Sequence, residues 1–451
     1  MTMVGIAGFL DLSSPTPEAA RIAATMAGGD GPGWTDAAAG FAVAAAAVAE
    51  SGDGRWVAAV DGALLNATDL RARLAPCEGP TDAAVVAEAV ARWGLERGLQ
   101  AAEGAITAIL WDRAERALHL VRDRFGECRL AWGRFGGALL FATDLAALRR
   151  HPAFVPEIDR EALAVMLEFG FVPSPRSIFR HVHKLAPAEL RSIRGVDQVS
   201  RPLWPAAERM RGAADSFQGG PAAAAERLNL LLRGSVSARL DVGGPVAVLL
   251  SGGPASSLVA AVARELGGRV HALTLADTQV AAACGRSVAA KLGVPHTELS
   301  LPDAEAAEIL RGLPALWDEP FAHPGQAGAV LLARAAAGTG ARVMLTGDGA
   351  GALFGGSPLY SEVARDWAAL RSAGPWRRRA AGWVARWRAK PADHRADSPA
   401  ALLAARRALW RGLPPPVPGT QSWLPPSPGL ADPALDCMAA ALLGVLPDQV
   451  C

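Results

Sequence analysis

The sequence predicts an α/β protein of two or three domains, with a parallel sheet in its later part. Three observations predict it. The chain has 451 residues, more than one domain usually holds. Hydrophobic residues make up 51% and charged residues 20% of it, enough to bury sizeable cores. Strand and helix patterns alternate after about residue 222, as a parallel sheet requires.

The stretch Val246-Ala247-Val248-Leu249-Leu250-Ser251-Gly252-Gly253-Pro254-Ala255-Ser256-Ser257 organises the rest. Its β-branched start reads as a buried strand, Ser-Gly-Gly as a tight loop, and the serines as the opening of a helix. Two glycines let backbone N–H groups approach an anion, and the helix start adds positive dipole character. Serine hydroxyls can donate to phosphate oxygens. The pattern is that of a pyrophosphate-holding turn. Around it, a helix is expected from about Ala222 to Leu240, a strand at His271–Leu275 and a helix from Gln279 to Leu292.

In the front part, Val4–Phe9, Arg55–Gly62, Ala105–Asp112, Leu118–Asp123 and Ala138–Asp144 read as strands or strand and turn, and Leu64–Leu70 follows the second of them. Helical patterns run over Asp82–Arg92 and Glu161–Phe169. Residues 205–222, with Phe217-Gln218-Gly219-Gly220-Pro221, read as a linker.

Composition excludes several classes. A formal charge of +1 argues against a general nucleic-acid-binding role. Cys77, Cys128, Cys284, Cys437 and Cys451 show no Cys-x-x-Cys spacing, so neither a zinc site nor a disulfide framework is expected, in keeping with a cytoplasmic protein. No apolar run reaches membrane-spanning length, and the start lacks the basic region of a secretory signal. His181 and His183 alternate as on one strand face, without a third ligand. Trp376, Ala380, Trp383 and Trp387 share a helical spacing among several arginines. That spacing suits a helix packing its tryptophans inward or, as the sharper alternative, a docking face for a peptide or partner. Tyr360 is read as part of the loop after Gly356 and carries no assigned role.

The Ser-Gly-Gly stretch resembles the pyrophosphate loop of the asparagine synthetase superfamily, which includes the β-lactam synthetases and the lasso-peptide macrolactam cyclases. Arg122-Asp123-Arg124-Phe125-Gly126, Phe169–Phe179, Lys184-Leu185-Ala186-Pro187, Asp318-Glu319-Pro320 and Val343–Gly356 add to the resemblance in the superfamily's order. It implies an N-terminal-nucleophile (Ntn)-like α/β/β/α sandwich over residues 1–204 and a linker over 205–222. A parallel-sheet adenine nucleotide α-hydrolase domain over 223–451, shortened at its C-terminus, would complete the chain.

The resemblance also implies roles, residue by residue. Leu250, Leu275, Thr346 and Gly347 would surround the adenosine of ATP. Ser251, Gly252, Gly253, Ser256 and Ser257 would cradle the pyrophosphate. Asp348 would be the acidic residue beside the reacting carbonyl. The superfamily's magnesium ligands fall at Ala255 and Gly351, neither of which can hold a cation, so magnesium is doubtful while ATP is expected. Asp348, Asp318 and Glu319 are the acidic residues that remain as substitutes, with nothing in the sequence to place them at the site.

The glutaminase nucleophile position is Val4, and the Asn-Gly-Glu segment is Asp61-Gly62-Ala63. The first puts no thiol in place, and the second puts a negative charge beside a developing oxyanion. Thr2 lies two residues upstream of the nucleophile's place, too far to substitute. Asp82 alone matches the glutamine site. From Asp366 the resemblance thins, and the superfamily's late lysine has no counterpart. The expectation is an ATP-dependent amide-forming ligase that does not use glutamine, of the lasso-cyclase kind, with a precursor peptide or an associated biosynthetic protein as partner. The alternative is a non-catalytic relative that binds such a partner.

Overall fold

The computed structural model describes residues 5–11, 17–29, 33–213, 217–240, 244–372, 396–409, 417, 419–420 and 422–449. Thr2, Val4 and the Trp376–Arg388 pattern lie outside the described residues. Contacts divide the chain into two units, one within 1–210, 318–321 and 359–451 and the other within 211–317 and 322–358. The sequence division differs, because it places 318–321 and everything after 358 with the nucleotide domain.

Two six-stranded sheets build the first unit. One has the order β10-β8-β9-β1-β3-β2, from Val182–Lys184 (β10), Ala131–Phe135 (β8), Ala138–Ala142 (β9), Ala7–Asp11 (β1), Phe41–Ala44 (β3) and Trp34–Asp36 (β2). The other runs β12-β11-β7-β6-β5-β4, from Asp197–Pro202 (β12), Glu189–Arg194 (β11), Ala117–Arg122 (β7), Gly104–Asp112 (β6), Trp56–Leu64 (β5) and Val48–Glu50 (β4). Neighbouring strands pair antiparallel throughout both sheets.

Period-2 alternation explains the layering. Ile109 and Trp111 of β6 join Val57 of β5 and Phe41 and Val43 of β3 in a core between the sheets. Ile106, Ala108 and Leu110 point the other way, into a core with helix Asp82–Trp93. Ala7, Phe9 and Leu140 form a third core with helices Ala19–Met26 and Arg160–Phe169. The result is helix, sheet, sheet, helix. Thr81 caps the Asp82 helix through the Ala84 N–H, and Asp159 caps the Arg160 helix through the Glu161 and Ala162 N–H groups.

Several readings change. Gly62 is not in a turn: β5 runs through it to Leu64 in register with β6, at φ +103°. A β-carbon there would lie 2.0 Å from the Ala105 carbonyl oxygen, so glycine alone keeps the two strands paired. Ala67–Arg73 is a helix, Ala206–Ala213 is a helix within the expected linker, and Tyr360 is buried in helix Pro358–Ser372. His181 is no strand residue. It sits at φ +65° before β10, and His183 packs its ring 5.1 Å from that of Trp132. No group of three metal-capable side chains occurs among the described residues.

The second unit holds a four-stranded parallel sheet of order β15-β14-β13-β16, from His296–Leu299 (β15), Arg269–Leu275 (β14), Pro245–Leu249 (β13) and Val343–Leu345 (β16). Val246, Val248 and Leu250 face a core with Val236, Ala260 and Ala289 from three helices. Ala247 and Leu273 face Ala336 on the opposite side. Helices thus cover both faces, as buried parallel strands require. No described helix is long and apolar enough to cross a membrane.

Candidate nucleotide site

The C-terminal ends of β13, β14 and β16 bring the expected site residues to one edge of the parallel sheet, where ligands of open α/β sheets bind. Leu250 extends β13 by donating its N–H to Leu273 O at 2.8 Å. The chain then turns through Ser251, Gly252 and Gly253 into helix Pro254–Glu265. Gly252 has φ +76°, and a β-carbon on it would lie 2.4 Å from Cys284 Cβ. Pro254 is the first helical residue, where its fixed φ suits the helix and its missing N–H has no intrahelical partner to lose.

Hydroxyls brace the turn. Ser251 Oγ and Ser256 Oγ lie 3.1 Å apart, and Gly253 N–H donates to Ser251 Oγ at 3.4 Å. Ser256 donates to Gly253 O at 3.2 Å and is buried, so it supports the turn from inside. Ser257 Oγ is buried and has no hydrogen-bond partner. An orphaned hydroxyl beside a helix N-terminus, where N–H groups also lack partners, fits an anion acceptor.

β16 delivers the other half. Thr346 Oγ1 accepts the Asp348 N–H at 3.2 Å. A β-carbon on Gly347 would meet Ser256 N at 2.8 Å and Ala255 Cβ at 3.0 Å, so this backbone lies directly against the helix start. Asp348 is exposed beyond it. Leu275, at the end of β14, packs on helix Gln326–Gly338, where a β-carbon on Gly328 would lie 2.6 Å from Leu275 Cδ2.

Sequence reasoning missed Cys284 and Gly285, which helix Gln279–Leu292 presses against the turn. A β-carbon on Gly285 would lie 2.4 Å from Thr274 Oγ1, and that hydroxyl donates to Leu250 O at 2.6 Å. The one signal for them in the sequence is a pair of small residues in mid-helix.

The phosphate half of an ATP site fits these residues. The magnesium half does not, since Ala255 and Gly351 offer no oxygen donor. Of the acidic substitutes, Asp348 is exposed beside the turn, while Asp318 and Glu319 are already engaged in the first unit. Asp318 accepts the Leu145 N–H and lies 3.5 Å from Arg129. Glu319 accepts the Ile178 N–H at 2.7 Å and pairs with Lys184 at 2.8 Å.

In the sandwich, Asp61 accepts its neighbour Gly62 N–H, and burial pushes its carboxyl up from the ordinary aspartate value. One Asp82 oxygen is taken by the Leu64 N–H at 3.0 Å. Cys128 donates its thiol to Ala105 O at 3.3 Å.

Two family models match the chain. One, described as asparagine synthase, matches residues 227–447, and the other, a glutamine amidotransferase domain, matches residues 3–204. The chain belongs to the asparagine synthetase superfamily. The match to residue 447 carries the superfamily resemblance well past Asp366, where the motifs fade. The Ntn-like sandwich and the parallel-sheet nucleotide hydrolase fold are the superfamily's two domains.

Among curated proteins, asparagine synthetase [glutamine-hydrolyzing] 1 of Bacillus subtilis is 25% identical over 57% of this chain and 40% of its own length. A putative asparagine synthetase of Mycobacterium tuberculosis is 28% identical over 68% of this chain and 48% of its own length. The chain thus spans less than half of the length of these relatives. A solved glutamine phosphoribosylpyrophosphate amidotransferase of B. subtilis aligns with 65% of this chain and 59% of its own at 14% identity, with a TM-score of 0.28.

Proposed function

We propose that this protein is an ATP-dependent carbon–nitrogen ligase that does not draw ammonia from glutamine. A carboxylate oxygen of the substrate attacks the α-phosphorus of ATP, and the bond to pyrophosphate breaks. An amine then attacks the acyl adenylate, AMP leaves with the bonding pair, and the amine loses a proton. The single observation that supports this most is the Ser251–Ser257 turn, with its left-handed Gly252 and its orphaned Ser257 hydroxyl. In this reading the turn holds the pyrophosphate, Leu250, Leu275, Thr346 and Gly347 surround the adenosine, and Asp348 stands by the reacting carbonyl.

Independence from glutamine rests on Val4 at the nucleophile position and on Asp61, whose carboxylate has the wrong sign for an oxyanion site. The finer reading is macrolactam closure of a lasso-type precursor peptide, whose own N-terminal amine attacks its activated Asp or Glu side chain. A peptide that carries both reactants needs no ammonia channel.

One observation favours a second reading, a non-catalytic relative that binds a peptide or an associated biosynthetic protein. Ala255 and Gly351 leave the turn without magnesium ligands, and metal screening at a phosphoryl centre contributes several kcal/mol. Calorimetry with ATP and excess magnesium, followed by pyrophosphate release with candidate peptides, separates the two. The ligase reading expects ATP binding and peptide-dependent pyrophosphate. Absence of ATP binding at about millimolar concentration, some 4 kcal/mol of affinity, defeats it.

A further inference from the structure

The superfamily stretches that the nucleotide site leaves unused gather in the first unit around four charged side chains. Arg122, fully buried, donates to the carbonyls of Cys128 at 2.8 Å, Leu185 at 2.7 Å and Gly126 at 2.7 Å, and to Ser174 Oγ at 3.0 Å. Lys184, also buried, donates to Val172 O and pairs with Glu319 at 2.8 Å. Asp448, on helix Leu446–Gln449, accepts the Ser174 N–H at 2.7 Å and its hydroxyl at 3.0 Å. It lies 3.7 Å from Arg122 and 3.8 Å from Lys184. Two cations face two carboxylates.

Burial pushes the Asp448 carboxyl up, but Lys184, Arg122 and the Ser174 hydrogen bonds together hold it below the usual carboxylate range. Each carboxylate belongs to a segment far away in sequence. Glu319 lies 135 residues from Lys184, and Asp448 lies 274 residues from Ser174. Asp318–Phe321 interrupts the chain of the second unit between Trp317 and Ala322. Asp448 stands at the edge of the region matched by the asparagine synthase model.

We propose that Arg122 and Lys184 form a latch through which the sandwich anchors two segments of the synthase region, with the shared Lys184 ammonium coupling one segment to the other. The amidotransferase-like unit then has a task that needs no nucleophile: it holds Asp318–Phe321 and Leu446–Gln449 in place. A buried carboxylate that loses its cation is strongly destabilised, so either segment should loosen when the latch is opened. Because Lys184 reaches both carboxylates, a change at one should register at the other. This does not depend on whether the second unit binds ATP.

Hydrogen–deuterium exchange of the full-length protein, read by mass spectrometry, tests the latch. Lys184→Met should speed exchange in the peptides carrying Glu319 and Asp448 together, by on the order of a hundredfold. Should that variant fail to fold, Glu319→Gln keeps a hydrogen-bond acceptor for Ile178 and removes one charge. It should speed exchange in the Asp448 peptide by about tenfold, although the Glu319 carboxylate bonds Ile178 and Lys184 rather than that helix. Exchange that rises only around residue 319, or a Lys184→Met protein with wild-type protection at either segment, overturns the proposal.

Discussion

Arg122 and Ser251 both stand in stretches that carry the superfamily resemblance, yet their surroundings are opposite. Arg122 is fully buried, and its guanidinium is hydrogen-bonded to four carbonyls and a serine. Ser251 is exposed on a turn where its hydroxyl meets that of Ser256, and the buried Ser257 Oγ has no hydrogen-bond partner. The sandwich keeps a motif arginine whose partners lie within the first unit, and it carries valine at position 4 and aspartate at position 61. The turn of the second unit has a backbone shape that suits an anion, with alanine at 255 and glycine at 351 beside it. Hydrogen bonding separates the two kinds of motif residue: the Arg122 guanidinium is fully engaged, whereas the buried Ser257 hydroxyl has no partner.

That contrast breaks most easily at Arg122. Arg122→Met leaves several carbonyls without donors and Asp448 with one fewer cation. Removing one partner of a buried pair costs about 3–5 kcal/mol, so the denaturant midpoint of the first unit should fall clearly, followed by tryptophan fluorescence. An unchanged midpoint would mean that its buried network contributes nothing to stability.

The sandwich should also respond to acid through His119. Burial, the dominant effect, pushes its imidazole down to about 4, aided by Arg201 and Arg55 and opposed by Asp112. It bonds Ser192 at 2.8 Å. The unfolded chain takes up a proton near pH 6.5 while the folded chain stays neutral, so the unfolded state binds more protons between about pH 6.5 and pH 4. Stability is complete above that window and falls through it by roughly 3 kcal/mol. His119→Gln should flatten this part of the stability–pH curve, and an equally steep curve in that variant would remove His119 as its source.

Much of this architecture is legible in the sequence. The helix Gln279–Leu292 has the bounds the sequence suggests, because Thr278 caps one end and Gly293 ends the other in a left-handed conformation. The Ser-Gly-Gly turn is legible because an apolar strand, two glycines and a helix start follow one another within a dozen residues. β3, Phe41–Ala44, is not, since alanine carries little strand signal and its burial comes from the second sheet on one face and helices on the other. The strand through Asp61 and Gly62 looks like a turn because the left-handed glycine is the same residue type in both. Contacts such as Gly252 on Cys284 or Lys184 on Glu319 join residues that no local pattern links. Those contacts decide which acidic residues are free for a ligand and which are already engaged.

The nucleotide unit can be tested at the residue that shapes its turn. Gly252→Ala puts a β-carbon 2.4 Å from Cys284 Cβ at φ +76°. The strain should amount to about 1–3 kcal/mol and fall on the turn rather than on the sandwich. Calorimetry should show ATP affinity reduced by about tenfold or more, with the denaturant midpoint of the first unit unmoved. Equal ATP affinity in the variant would show that the turn does not hold the nucleotide.

The finest test restores what the turn lacks. A β-carbon on Gly351 meets nothing within 4 Å, so an aspartate has room there, and Ala255 lies in the first turn of its helix, where a carboxylate is favoured. The double variant Ala255→Asp, Gly351→Asp supplies two hard oxygen donors, the number of carboxylates magnesium usually takes alongside phosphate oxygens. ATP affinity in magnesium should rise by about tenfold, roughly 1.4 kcal/mol, with little change when a chelator removes the cation. The matched Asn, Asn variant has the same shape without the charge and should show no magnesium dependence. If the aspartates leave ATP binding as it was in both conditions, the two positions do not face the phosphates, and the contrast between a retained backbone cradle and a lost cation grip fails at the cradle.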